Sequence, residues 1–560
     1  MYTSAVDGGA VLRKVIQRRW IRCYIFQTML SVPLWIFFGS SITSLCFWSK
    51  HNRLQLSLSQ RFFRFLCFYL SQTVFLLGVA MVTHPEEKDA ATTADIFFGI
   101  LKLTWRAIVG ASTGKNSPPD SAVLVQKIQT SRDQTLFFFL GAISGSLSLV
   151  SMTWTASKHL SVREEACQGA ALGILFSLWF LQRKRMVLRF PIIQRSAFFT
   201  FKLGLKEIVG TSIKLAVLSV PLAELLILVL NSSSFAAFNS KKSKMSYVGR
   251  ELDFVIVAAF TATLWGLTHQ LVQAVHTRRY HFAPPVGTAA AETNPSDLLL
   301  QALEAEKSSL VHYLAALDLC MLSEHNSDAW RLSALFEESG ETYNRVVSTC
   351  LKPLNMLTIK LAKGLDGLEE AHEKASFKQQ MQLPGKDSIP STYEVLNDDQ
   401  LCCWCVRILS SLTSSSKNHD RYGVAQLRGC NGAVVSSLLS CLLVIEVYLG
   451  RRSSTQPGQT VGLHGIKWTI PSRGLDSAPE KIKGFPFPKK SQLYKKAYAI
   501  ADVLRTSLYQ IVTTFRKEMD GSGPGGMVVA ERDWLDKGQP LYGTRELHIQ
   551  CLRMLLDFKM

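Results

Sequence analysis

Six long apolar runs occupy the first half of this 560-residue chain, and they constrain its fold more than any other feature. A helix of about 20 apolar residues is long enough to cross the roughly 30 Å hydrocarbon core of a bilayer. The fourth run is a few residues short of that length. The sequence therefore predicts six membrane-spanning helices, at about residues 21–48, 65–83, 136–155, 166–181, 208–230 and 252–276.

The distribution of charge agrees with a membrane domain. Residues 1–280 hold 31 of the 62 Lys and Arg residues but only 13 of the 43 Asp and Glu residues. These cations flank apolar runs, whereas a nucleic-acid-binding protein needs a basic face that is free in water. The excess charge therefore indicates membrane topology, and no direct nucleic-acid partner is expected.

The number of spans and the positions of the cations predict the orientation. Six crossings place both termini on one side, and the connectors on that side hold about twice as many Lys and Arg residues as the opposite connectors, which favours the cytosol. The resulting organisation is a cytosolic N-terminus (1–20), a transmembrane domain (21–280) and a cytosolic domain (281–560).

The segment 95–111 is apolar but carries two cations, Lys102 and Arg106, four residues apart on one helical face. Burying both in hydrocarbon would cost several kcal/mol. The sequence therefore predicts an interfacial amphipathic helix here and not a seventh span.

The connector between the fourth and fifth runs, residues 183–204, is both cationic and apolar. Its rings and aliphatic side chains, among them Phe190, Ile192, Ile193, Phe198 and Phe199, are expected to lie in the headgroup layer, with the cations toward anionic lipid. The alternative is a juxtamembrane linker whose cations only fix the topology.

Two pairs of glycines indicate close helix packing in the membrane. Gly141 and Gly145 lie four residues apart in the third run, and Gly169 and Gly173 do so in the fourth. Small residues at this spacing allow two helix backbones to approach closely. We expect the third and fourth spans to pack against each other through these glycines.

Glu224 is an acid inside the fifth run. Intramembrane acids mark proton or ion pathways in many transporters, but transporters usually assemble several such groups near the midplane. A proton site and a packing residue reached by water both remain open for Glu224.

The second half shows helical periodicity interrupted by polar connectors, so the chain as a whole is predicted to be all-α. Flexible connectors are expected at about 364–399 and 451–491. The segment 297–324 is predicted to be one helix capped by Ser296, and Pro353 is predicted to kink a later helix. The run 434–449 is predicted to be a buried core helix, because it is short for a span and carries Glu446.

No catalytic, metal or cofactor site is predicted. Cys402, Cys403 and Cys405 form a single C-x-x-C pattern within a helical apolar segment, without a second ligand pair at zinc spacing. Buried core cysteines are the favoured interpretation. The phosphate-binding glycine loop and the hydrolase and metalloprotease motifs do not occur in the sequence, so no enzyme is expected.

Several short motifs, taken in order, resemble one family of membrane proteins. The first, FPIIQ, consists of Phe190, Pro191, Ile192, Ile193 and Gln194. Those that follow are HFAPP (281–285), HYLAALDLCMLS (312–323), DRYGVAQ (420–426), SLYQIVTTF (507–515) and LLDFKM (555–560). Together they are similar to the transmembrane nucleoporin family of nuclear division cycle protein one.

The resemblance implies six spans, cytosolic termini and a helical C-terminal half. It also implies a non-enzymatic membrane anchor at the nuclear pore complex, with roles in pore assembly and, indirectly, in nucleocytoplasmic transport of protein and mRNA. Its implied partners are the lipid bilayer and soluble scaffold nucleoporins, including the WD-repeat protein Aladin. From the residues alone, a multi-pass transporter or channel with a cytosolic regulatory domain remains the alternative.

Overall fold

The computed structural model describes most of the helical segments of the chain. The residues described are 8–45, 58–86, 119–153, 162–191, 196–230, 244–284, 287–288, 295–306, 309–325, 328–377, 396, 398–453, 489–519, 534 and 540–557. The predicted interfacial helix at 95–111 and most of the two predicted connectors lie outside them.

The described residues contain helices and no β-strand, so the prediction of an all-α chain is confirmed. One isolated parallel β-bridge joins His84 to Val187. The chain divides into two compact units, residues 1–279 and residues 280–560.

The first unit consists of long helices. They are α1 (Gly8–Leu45), α2 (Leu58–Val82), α3 (Pro119–Thr153), α4 (Val162–Gln182), α5 (Ala197–Leu230) and α6 (Lys244–His276). Each of the six predicted spans falls largely within one of these helices, although several helices extend well beyond the predicted bounds.

By length and composition, five helices among the described residues could cross a membrane. They are Arg61–Val82, Ile128–Met152, Phe198–Val229, Glu251–His276 and Cys430–Gly450. The first four contain most of the second, third, fifth and sixth predicted spans. The first and fourth predicted spans are not among them; α4, which holds the fourth, carries Glu164 and Glu165 in its first turn and buries the polar Glu165 and Gln168.

Aromatic side chains fill the core of the first unit. Trp265 is fully buried and stacks on Phe75, with ring centroids 4.8 Å apart. Phe176 meets the same indole edge-on at 5.1 Å. These contacts join α2, α4 and α6 through rings whose offset and edge-on geometries are favourable beyond the area that they bury.

The second unit contains nine described helices of very different lengths. They are α7 (Asp297–Leu303), α8 (Leu310–Glu324), α9 (Ala329–Ala334), α10 (Glu341–Phe377), α11 (Asp399–His419), α12 (Val424–Leu427), α13 (Cys430–Ser453), α14 (Lys489–Met519) and α15 (Arg545–Asp557). Helix α10 runs through Pro353, and its last residues occupy the start of the connector predicted at 364–399.

The single helix predicted for 297–324 is wrong, because the structure divides it into α7 and α8. Ser309 caps α8 by accepting a hydrogen bond from the backbone N–H of His312, whose ring Nδ1 lies 2.8 Å from the Leu303 carbonyl oxygen. Ser296 occupies the N-cap position of α7 without a side-chain cap hydrogen bond. A local Ser cap therefore restarts the helix after the polar stretch 304–309.

Helix α13 lies at the centre of the second unit. Five of the described helices are apolar enough to cross a membrane. In α13, 72% of the most apolar stretch is buried inside the protein, the largest share among the five, compared with 28% in Phe198–Val229. Glu446 bonds to the guanidinium of Arg505 in α14, with Nη2 and Oε1 3.1 Å apart. This extensive burial is typical of a core helix.

Candidate functional site

The four predicted glycines meet at the contact between α3 and α4. A Cβ placed on Gly145 would lie 2.0 Å from the carbonyl oxygen of Gly169, and one on Gly173 would lie 2.1 Å from that of Gly141. These distances are too short for a Cβ atom. The clash could not be relieved by moving a side chain, because the opposing atoms belong to the backbone. The structure thus brings all four glycines together in one contact, which we call the glycine seam.

Buried hydroxyl and amide groups join α1, α2 and α3 beside the aromatic core. The hydroxyls of Ser71 and Ser148 lie 2.7 Å apart, and Gln72 Nε2 donates to Ser148 Oγ at 3.1 Å. Ser144 donates to the carbonyl of Ser71, and Gln27 to that of Gln72. Side-chain hydrogen bonds between membrane helices fix their register. Sequence reasoning missed this network, although small polar residues inside apolar runs are its signal.

Arg19 attaches α1 to the C-terminal end of α6. Its guanidinium is 5% exposed and donates to the carbonyls of Val275, His276 and Arg278, the last at 2.7 Å. The last carbonyls of a helix have no partner within the helix and carry partial negative charge, so a cation is favourable there. Arg19 belongs to the predicted cytosolic N-terminus (1–20), and in the structure its guanidinium caps the C-terminal end of α6.

Residues 186–189, which precede the FPIIQ motif, form hydrogen bonds with His84 on one side and with Gln273 on the other. His84 exchanges backbone hydrogen bonds with Met186 and Leu188, at 3.1 and 2.9 Å. The Gln273 side chain of α6 accepts from the Arg189 N–H and donates to the Val187 carbonyl. These bonds fix the backbone before Phe190 within the first unit.

The position of Phe190, the first residue of FPIIQ, therefore differs from the prediction that this connector faces lipid. Phe190 is 4% exposed, so its ring packs inside the protein, whereas Pro191 is exposed. Ile192, Ile193 and Gln194 lie outside the described residues. The exposed rings of this connector are Phe198 and Phe199, at 69% and 59%, in the first turn of α5.

Glu224 lies in α5 and is partly buried. Its neighbour Ala223 faces the core at 1% exposure, and Leu225 faces outward at 60%. Glu224 has an interaction partner in the structure, so it is not an isolated residue.

Two of the motifs in the second unit meet at a buried ion pair. Asp318 of α8 is fully buried, and Arg331 of α9 approaches its Oδ2 with Nη2 at 2.7 Å. The same carboxylate oxygen accepts the backbone N–H of Phe282 at 3.0 Å. HFAPP and HYLAALDLCMLS are thereby joined through one carboxylate, although about 30 residues separate them in the sequence.

The later motifs also serve to join helices. Asp420 accepts the Ala425 N–H at 2.9 Å, which closes the turn of DRYGVAQ before α12. Lys417 of α11 donates to the Thr514 carbonyl in SLYQIVTTF. Arg516 of α14 donates to the Leu556 carbonyl in LLDFKM at 2.9 Å. These residues stabilise the second unit from within.

The cysteines of the C-x-x-C pattern are packed in the core of the second unit. Cys402 and Cys405 are 3% and 4% exposed. Burial raises the pKa of Cys402 well above its usual value and that of Cys403 to about 12. A hydrogen bond with Cys350, together with burial, raises the pKa of Cys405. Protonated thiols are poor nucleophiles and poor metal ligands.

The fold and these contacts define an all-α protein with several helices of membrane-spanning length and composition. The family model for nucleoporin protein Ndc1-Nup matches residues 165–400. No curated protein matches the chain. This match supports membership of the Ndc1 nucleoporin family, a family that implies a nucleoporin role at the nuclear pore.

Proposed function

We propose that this chain is an integral membrane protein that anchors the scaffold of the nuclear pore complex to the nuclear envelope. The observation that carries the proposal is the family match, because residues 165–400 include helices from both the first and the second unit. In this role the protein contributes to pore assembly and, indirectly, to nucleocytoplasmic transport.

The contacts of the first unit support an anchor more than a carrier. The glycine seam joins α3 and α4 at backbone distance, and buried hydrogen bonds hold α1, α2 and α3 in one register. A carrier needs helices that can rock or separate around a substrate site. Substrate-dependent flux in reconstituted vesicles would favour the transporter alternative.

The proposed topology has six spans, at α1 to α6, and both termini in the cytosol. An N-glycosylation sequon engineered near Lys241, between α5 and α6, should be glycosylated because this connector is assigned to the lumen. Glycan addition is measured as an endoglycosidase-sensitive mobility shift of the full-length chain.

A sequon engineered near Pro285 is the matched control and should stay unmodified. The natural sequon at Asn231 is less informative, because it directly follows α5 and lies too close to the membrane for ready access by the transferase. Glycan near Pro285, without glycan near Lys241, would reverse the orientation.

We propose further that the second unit binds soluble scaffold nucleoporins, with Aladin among them. A chain truncated after Arg279 should remain in the membrane but recover less than about a tenth of the pore components that the full chain recovers. The reason is the division of the chain into two compact units, with most of the apolar helices in the first. Affinity purification followed by quantitative mass spectrometry measures the loss.

Resistance to alkaline carbonate extraction is the control that shows the truncated chain to be membrane-integrated. If the truncated chain is integrated and still recovers the pore components as the full chain does, the second unit is not the binding unit. The cytosolic connectors, including residues 183–204, would then be the next candidates.

A further inference from the structure

Lys214 is a cation on the surface of α5, inside its apolar run. The side chain is exposed, and it forms no hydrogen bond or ion pair with the described residues. Glu224, the other charged residue of the run 208–230, is ten residues away, about 15 Å along the helix, and cannot pair with it. Charged residues in membrane spans almost always face the interior of a helix bundle and pair with one another, so an exposed, unpaired lysine requires an explanation.

The contact between α5 and α6 gives the depth of Lys214 in a chain that spans the membrane as proposed. A Cβ on Gly266 of α6 would lie 2.6 Å from Ile208 Cγ2, so these two residues are at the same level. Consecutive spans run antiparallel, and Lys214, six residues after Ile208, is therefore level with Phe260, six residues before Gly266. Phe260 is close to the middle of the helix Glu251–His276, so Lys214 lies deep in the bilayer.

The lysine cannot reach a headgroup by extending along the helix. Toward the cytosolic end, the first charged residue of α5 is Glu207, seven residues or about 10 Å away, which is farther than the four-carbon stem of a lysine covers. In the other direction the exposed residues are apolar, namely Val217, Leu218 and Leu225. The ammonium therefore remains among apolar groups unless a partner supplies an anion.

The surface around Lys214 is one continuous helix face, which we call the outer face of α5. Its exposed residues are Gly210, Ile213, Lys214, Val217, Leu218 and Pro221. Only 28% of the most apolar stretch of α5 is buried inside the protein, the smallest share among the five described helices of this kind. A Cβ on Gly210 would meet no described atom within 4 Å outside its chain neighbours and its own helix backbone, so a second helix can approach closely there.

A second polar group belongs to the same face. Pro221 has no N–H, so the carbonyl of Val217, four residues earlier, lacks its usual donor within the helix. An unsatisfied carbonyl is costly in hydrocarbon. A polar side chain of an adjacent helix can donate to this carbonyl, whereas an acyl chain cannot.

We propose that a transmembrane helix of another protein packs on the outer face of α5, with an Asp or Glu side chain paired with Lys214. The inference rests on the proposed membrane-spanning arrangement and on charge complementarity. A second copy of this chain does not fit, because two α5 helices related by a two-fold axis along the membrane normal would place Lys214 against Lys214. An anionic lipid does not fit either, because its phosphate lies in the headgroup layer, outside the hydrocarbon depth of Lys214.

Photo-cross-linking of the full-length chain in the membranes of its own cells tests the proposal. Benzoylphenylalanine in place of Leu218, which is 58% exposed on the outer face, should cross-link to another membrane protein. Mass spectrometry of the product should place the cross-link in an apolar helix that contains an Asp or Glu. The same probe in place of Leu70, which is 51% exposed on α2, should not give this product.

Variants of Lys214 test the ion pair. Lys214→Met keeps a long side chain but removes the charge, and it should lower the cross-linking yield about fivefold, the effect expected for losing a polar contact between membrane helices. Lys214→Arg keeps the charge and should stay within about twofold of the wild type. Lys206→Met is the matched control, because it removes an exposed lysine from the same helix outside the apolar run. Its yield should also stay within about twofold, since an exposed charge contributes little.

Charge exchange tests the assignment of the partner. Lys214→Glu should abolish the cross-link, and changing the acid of the identified partner helix to Lys should restore it. Gly210→Leu should lower the yield as Lys214→Met does, because the added side chain keeps the two backbones apart. The melting temperature of Gly210→Leu in detergent should not fall, because no described side chain opposes this position within the first unit.

Equal yields for the wild type and Lys214→Met would overturn the proposal. It would also be overturned by products formed with lipid or a second copy of this chain alone, by a partner helix without an acid, or by the absence of any protein product. Carbonate extraction of the wild-type chain separately tests membrane integration, and co-localisation with a scaffold nucleoporin tests the role at the pore. Failure of this docking surface is therefore distinguishable from failure of the proposed function.

Discussion

Gly145→Ala should destabilise the first unit by about 1–3 kcal/mol, the range typical of overpacked cores. The added Cβ would lie 2.0 Å from the Gly169 carbonyl oxygen and 2.9 Å from its carbonyl carbon, so α3 and α4 must separate to accept it. Gly169→Ala should act in the same way, because its Cβ would lie 2.3 Å from the Gly145 carbonyl oxygen. Thermal unfolding of the full chain in detergent measures both losses.

Gly210→Ala in α5 is the matched control, and its effect on the free energy of unfolding should have the opposite sign. Apart from its chain neighbours and the backbone of its own helix, no atom of the described residues lies within 4 Å of the position of its added Cβ. In a helix interior Ala is favoured over Gly by about 0.5–1 kcal/mol, so this variant should be slightly more stable than the wild type. Equal stability of Gly145→Ala, Gly169→Ala and Gly210→Ala would show that the glycine seam does not determine how α3 and α4 pack.

Arg331→Met should destabilise the second unit by about 3–5 kcal/mol, the cost typical of removing one partner of a buried ion pair. The substitution keeps a long side chain but removes the guanidinium that neutralises the fully buried Asp318 carboxylate. That carboxylate also accepts the Phe282 N–H, so the start of the HFAPP segment should loosen with it. Amide hydrogen exchange over residues 280–284 gives the local readout and detergent melting the global one.

Arg345→Met is the control for this prediction. Arg345 pairs with Glu304 at 2.8 Å, but both side chains are about two-fifths exposed, at 40% and 43%. Such a pair contributes roughly 0–1 kcal/mol, so the melting temperature should change little. If the two variants lose the same stability, or if exchange at 280–284 is unchanged in Arg331→Met, the Asp318 carboxylate does not hold these motifs together.

Local sequence patterns predicted where the long helices of the first unit form and which of their faces carry small residues. Apolar runs of sufficient length indicated where α2, α3, α5 and α6 form, since length and composition alone decide whether a helix can cross a bilayer. The spacing of Gly141 with Gly145 and of Gly169 with Gly173 indicated small, approachable helix faces. It also predicted that the third and fourth spans pack against each other there, and the structure brings the two pairs together at backbone distance.

Features that depend on distant partners could not be predicted in this way. Phe190 is buried because His84 and Gln273 hold the preceding segment, and neither is near it in sequence. Asp318 and Arg331 belong to different helices, so periodicity could not pair them. The break between α7 and α8 was missed because Leu303 and Leu310 keep helical spacing across the polar stretch 304–309, where the Ser309 cap starts the second helix.

The proposal that this chain is a membrane protein of the nuclear pore is tested by imaging. The full-length chain, tagged and expressed near its natural level, should give a punctate nuclear rim whose spots coincide with a scaffold nucleoporin. We expect this pattern because the nucleoporin Ndc1-Nup family model matches residues 165–400 and several helices are long and apolar enough to span a membrane. An even distribution through the endoplasmic reticulum or at the plasma membrane, without enrichment at pores, would contradict it.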